Sequence, residues 1–92
     1  GLADEQEMNT KDNDTYIYKG NIKKGDGFKI MCKKDKWWPA FVPDAADASK
    51  MAYHKSKDEG DAYWGIAEDG YYTVTAVLST LEISIVRNGD MQ

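Results

Sequence analysis

Cysteine, histidine and proline are scarce in this chain of 92 residues, which holds one, one and two of them respectively. A lone thiol at Cys32 excludes an internal disulfide and a cysteine-rich metal site. It falls in the alternating run Phe28-Ile30-Cys32, which predicts a buried thiol used as a small hydrophobe. His54 sits beside Lys55 and Lys57 with no serine, cysteine or carboxylate at motif spacing. It reads as an exposed loop residue, not as a catalytic base or metal ligand. The glycines are scattered through turns, and none forms a phosphate-binding loop ahead of a helix. Asp58-Glu59-Gly60-Asp61 offers oxygen ligands but lacks the alternating acidic loop and distal glutamate of a calcium hand. No enzyme motif emerges, and no cofactor is expected.

Long apolar runs are also missing. Nothing approaches the roughly 18 residues that a membrane-spanning helix requires. The start, Gly1-Leu2-Ala3-Asp4-Glu5, is acidic and has no apolar leader, and Gly1 in place of Met points to a processed start. Positive charge is outweighed by negative, with 12 Lys and Arg against 16 Asp and Glu and a net charge of −4. That balance argues against nucleic acid, whose binders carry excess positive charge along the contact face. Residues 19–36 are a local exception, with seven lysines against two acids. Alternate lysines there read as the solvated face of a strand, which also discourages edge pairing.

What remains is β-rich. The composition, 41% hydrophobic and 12% aromatic, suits one small globular domain with one core. Residues 1–14 are polar and read as an irregular entry, 15–88 as a single domain, and 89–92 as a tail. A strand signal runs from Thr15 to Lys19 and stops at Gly20-Asn21. After a turn at Lys24 to Gly27, residues Phe28 to Lys33 alternate as a second strand. Trp37 to Pro43 contains two prolines, Pro39 and Pro43, which exclude a central strand and predict an edge strand or extended loop. Residues 44–61 read as loop, although Asp44 is a credible helix cap. Ala62 to Ala67 is a short strand, and Tyr71 to Leu78 with Leu81 to Val86 forms a hairpin. In that hairpin Tyr72, Val74, Ala76 and Leu78 share one face, and Leu81, Ile83 and Ile85 point inward. Short strands, regular turns and no long helical period predict an antiparallel β-sandwich.

The three tryptophans are the informative residues. Trp37 and Trp38 are adjacent, so in an extended segment their rings point to opposite sides and one faces out. An exposed indole stacks well on the C–H-rich face of a pyranose, while neighbouring polar groups bond the hydroxyls. Trp64, in a strand with Ile66, is a second candidate and also fits a core role.

The order of these segments resembles a known family. Its marks are Tyr16-Ile17-Tyr18-Lys19-Gly20, then Ile22-Lys23-Lys24-Gly25 leading into Phe28-Lys29-Ile30, and the Trp37 to Pro43 segment. Trp64-Gly65-Ile66 and the closing Gly70-Tyr71-Tyr72-Thr73-Val74-Thr75-Ala76-Val77-Leu78 complete the pattern. Across residues 8–87 this resembles the repeated domains of SusE/SusF-type starch-binding lipoproteins, from the outer-membrane glycan-uptake systems of Bacteroidetes. The resemblance implies an all-β, immunoglobulin-like sandwich that binds α-glucan or a related oligosaccharide or polysaccharide without cleaving it. It implies a location among other glycan-uptake proteins at the cell surface, lipid-anchored in the outer membrane, or facing the periplasm. By position it nominates Trp37, Trp38 and Trp64 as ligand-binding residues, with Lys29, Lys36 and Tyr53 as secondary contacts. Two departures stand out. The family's first strand has no counterpart from Gly1 onward, which would leave an edge open to strand-mediated pairing of copies. Asp26 is an extra residue in the turn before Phe28. The alternative function is a spacer or protein-interaction domain of a surface lipoprotein, with its tryptophans packed away.

Overall fold

Aromatic and β-branched residues concentrate in two eight-residue stretches, and these form the longest strands of the computed structural model, which describes residues 5–92. They are β2 (Thr15–Ile22) and β8 (Gly70–Val77), paired antiparallel from Thr15↔Val77 to Ile22↔Gly70. Two-residue strand β1 (Asn9–Thr10) lies on the outer side of β2, and β9 (Glu82–Arg87) on the outer side of β8. The order of this four-stranded sheet is therefore β1-β2-β8-β9. A ribbon pairs β3 (Gly27–Phe28) with β7 (Trp64–Gly65). A three-stranded sheet has β5 (Ala40–Pro43) between β4 (Ile30–Met31) and β6 (Met51–His54). All named pairings are antiparallel. Among the described residues the only helical turn is a 3-10 segment, Lys57–Glu59. No helix there is long and apolar enough to cross a membrane. The all-β, antiparallel expectation holds.

The core draws on all three sheets. Met51 from β6, Trp64 from β7, Val74 and Ala76 from β8 and Ile83 from β9 form one buried cluster. Phe28, Ile30 and Phe41 pack on it from the smaller sheets, and Tyr18, Ile22 and Ile85 from the larger one. Period-2 alternation drives this arrangement. Tyr72, Val74 and Ala76 are buried while Tyr71, Thr73 and Thr75 between them are half-buried on the opposite face. Burying each large apolar side chain contributes about 1.5–3 kcal/mol.

Several local expectations are corrected. β2 does not stop at Gly20 but runs on to Ile22. The Tyr18 ring and hydroxyl occupy the space that a Cβ at Gly20 would fill, covering the glycine's bare backbone. The strand expected from Phe28 to Lys33 is broken at Lys29, where the chain leaves the β7 ribbon and joins the β5 sheet. Beyond Met31 the chain bends away, so Cys32 is exposed and not a core thiol. Desolvation by neighbouring atoms still pushes its pKa above the usual range. The proline-bracketed segment is a central strand and not an edge, because Pro39 precedes β5 and Pro43 is its last residue. The missing N–H groups thus fall at the ends of the ladder.

Residues 44–61, expected as loop, contain β6. Asp44 caps a turn and no helix follows: its Oδ2 accepts from the backbone N–H of Ala46 (3.0 Å) and Asp47 (3.1 Å). Asp47 Oδ1 then accepts from the N–H of Ser49 (2.9 Å), and the chain enters β6. Leu81 faces solvent and not the core. It closes the β8–β9 turn at φ 59°, where its carbonyl accepts the Met51 N–H at 2.7 Å. Of the entry expected to be irregular, Asn9–Thr10 is strand β1, and residues 1–4 lie outside the described residues.

Candidate functional site

The site grows out of the β3–β7 ribbon. Phe28 and Trp64 face each other across it, with ring centroids 5.5 Å apart on the core side. One residue after Phe28 and one before Trp64, alternation turns Lys29 and Tyr63 to the opposite side. There the Lys29 Nζ lies 5.4 Å from the centre of the Tyr63 ring. Gly27 makes this possible, since a Cβ on it would come within 3.0 Å of the Tyr63 Cβ. Tyr63 stays 52% exposed.

The second wall is the 32–39 loop. It is pinched shut where the Cys32 N–H donates to the Pro39 carbonyl at 3.0 Å, and a turn follows from the Lys36 N–H to the Lys33 carbonyl at 3.3 Å. The Trp38–Pro39 peptide is cis. The loop brings both indoles to one cation: Lys29 Nζ sits 3.8 Å from the Trp38 ring centre and 5.4 Å from that of Trp37. The segment is bent and not extended, so both adjacent rings meet the same cation. Trp37 remains 52% exposed, and Trp38 is half-buried.

The third wall is the 55–61 turn. His54 Nδ1 lies 2.8 Å from the Gly60 carbonyl, tying the end of β6 to the residue before Asp61. His54 is therefore a half-buried strand residue and not an exposed loop residue. The Lys55 N–H donates to Glu59 Oε2 at 2.5 Å, closing the same turn. Asp61 Oδ1 then accepts from Lys29 Nζ at 3.0 Å, and its Oδ2 from the Tyr63 hydroxyl at 3.2 Å. Desolvation first, and then the Asp61 charge and hydrogen bond, push the Tyr63 phenol above its usual pKa.

Lys29 is the hub. Its side chain is 4% exposed, the reverse of the solvated lysine face expected for this stretch. A desolvated ammonium is costly unless paired, and this one has a carboxylate and three aromatic faces. Each cation–π contact contributes on the order of 0.5–2 kcal/mol. What the cluster shows to solvent is two half-exposed aromatic rings, Trp37 and Tyr63, and a partly open carboxylate, Asp61.

Of the nominated residues, Trp37, Trp38 and Lys29 come together here. Trp64 is not a surface platform. It is 4% exposed, stacks on Phe28, and donates its Nε1–H to the Ala48 carbonyl at 2.9 Å. Its place in a two-residue strand facing the larger sheet commits the ring to the core. Tyr53 is 49% exposed and packs at a tilt against Phe41, 5.4 Å between ring centres, whereas the partners of Lys29 are Trp37, Trp38, Tyr63 and Asp61. Lys36 is exposed in the loop turn and likewise makes none of the cluster's contacts. Two members went unnominated, Tyr63 and Asp61. The signal for Tyr63 lay in its position: next to a buried tryptophan in a strand, it had to face outward. No protein-family model matches the chain, and no curated protein or solved structure matches it.

Proposed function

We propose that this chain is a non-catalytic carbohydrate-binding module of a cell-surface glycan-uptake system, taking an α-glucan or related neutral glycan. The observation that carries this is the pairing of two half-exposed rings, Trp37 and Tyr63, around the Lys29–Asp61 pair. Aromatic faces offer a stacking surface for the C–H side of a pyranose. Asp61 has carboxylate lone pairs beyond those used by Lys29 and Tyr63, and these can accept hydrogen bonds from ligand hydroxyls. The arrangement of one larger sheet and two smaller ones about a shared core suits the immunoglobulin-like sandwich implied by the resemblance. The site lies on the outer side of the β3–β7 ribbon, away from the core.

The test is a titration of intrinsic tryptophan fluorescence with maltooligosaccharides and a panel of other neutral glycans. Saturable change is expected with at least one of them, and Trp37→Ala should abolish it while keeping a single cooperative thermal unfolding transition. A flat response across the panel would refute this reading and favour a spacer domain whose aromatic cluster is structural.

A further inference from the structure

The most unusual feature of the site is that its centre is already filled. The space among Trp37, Trp38 and Tyr63 holds an ammonium belonging to the protein itself. With its side chain only 4% exposed and its Nζ on Asp61, Lys29 has little capacity left to reach a ligand directly. Its contacts are with the rings that would.

We propose that Lys29 is a positioning residue: its buried ammonium, neutralised by Asp61, fixes the Trp37 and Tyr63 faces in the orientation that binds glycan. This inference rests on the glycan-binding reading above. The chain's path supports it, because Lys29 sits where the strand passes from the β7 ribbon to the β5 sheet. Its cation thereby joins three segments that share no strand pairing: the 32–39 loop through the two indoles, Tyr63 beside β7, and Asp61 at the end of the 55–61 turn. A half-exposed indole on a bent loop otherwise has freedom to reorient, and ordering it on binding costs affinity. A ring–cation contact made before the ligand arrives removes that cost.

The experiment uses the chain labelled with 5-fluorotryptophan, whose three indoles give separate ¹⁹F resonances, together with glycan titration. Trp64, in the core, serves as the internal report on folding. In Lys29→Met the Trp37 and Trp38 resonances are expected to move toward solvent values without ligand, the Trp64 resonance to stay, and glycan affinity to fall by about tenfold or more. Lys29→Gln keeps a donor for Asp61 but no charge, and should lose affinity similarly; it decides the matter if Lys29→Met does not fold. Lys29→Arg, which restores the cation, should recover most of the affinity. Unmoved Trp37 and Trp38 resonances, or a Lys29→Gln variant binding within twofold of the parent, would overturn the proposal. If the parent binds no glycan, the binding reading fails, while the ligand-free ¹⁹F shifts still decide whether Lys29 sets the rings.

Discussion

Two tryptophans in this small chain have opposite fates, and the consequences of removing them should differ accordingly. Trp64 is enclosed by Phe28 and the core cluster and spends its only polar hydrogen on Ala48. Trp64→Ala should cost about 3–5 kcal/mol in urea denaturation, a large share of the stability of a domain this size. Trp37→Ala should cost less, about 0.5–2 kcal/mol in the same measurement, because half of the ring already faces water and what is lost is chiefly its contact with the Lys29 cation. The sequence made both residues conspicuous but could not separate them. A tryptophan in a short strand reads the same whether its face meets another sheet or solvent. Two exposed acids contribute to the response to pH. Hydrogen bonds from the backbone N–H groups of Thr15 and Asp14 hold the Asp12 carboxyl below its usual value of 3.8. Those from the Ser49 side chain and backbone do the same for Asp47. Both folded pKa values lie below the unfolded ones, so their stabilisation is complete above the unfolded pKa and is lost as pH falls through the folded one. The urea midpoint should therefore hold near neutrality and fall below about pH 4, and Asp12→Asn with Asp47→Asn should flatten that fall.

Strands and turns were legible in proportion to how local their causes are. The β8–β9 hairpin declared itself because Tyr72, Val74 and Ala76 alternate with Tyr71, Thr73 and Thr75, and these three, with Ile83 from β9, are buried. Leu81 broke the pattern through turn geometry, which hydrophobic alternation does not encode. The break at Lys29 was invisible for a related reason: Phe28, Ile30 and Cys32 alternate as one strand does, yet two different partners divide them. Partner choice is a property of the assembled sheets. β6 escaped notice because Met51–His54 is only four residues long and is fixed by β5 and by the Asp44 and Asp47 turns. The same logic makes Asp14 a key side chain of the hairpin. Its carboxylate accepts both the Ser79 N–H (2.8 Å) and the Ser79 hydroxyl (2.8 Å), tying the start of β2 to the turn after β8. Asp14→Ala should lower stability by about 1–2 kcal/mol in chemical denaturation, with the Lys29 cluster unaffected.

The assembled domain combines an acidic overall balance with a site whose central charge is neutralised internally. The net charge is −4, and the one cation at the heart of the cluster is held by Asp61. Binding of a neutral glycan there releases no counterions, so its affinity should change less than about twofold between 0.05 and 0.5 M salt. An anionic polymer recruited by the exposed lysines of the 32–39 loop would show a steep loss over that range. The most direct measurement is a ¹H–¹⁵N spectrum of the parent chain titrated with the glycan that gives the strongest fluorescence response, maltooligosaccharides being tried first. The Trp37 indole N–H and the backbone N–H groups around Tyr63 and Asp61 should shift and saturate together, while the core indole of Trp64 stays still. Shifts confined to another face of the domain, or no shifts at all, would contradict a glycan site built on Trp37 and Tyr63.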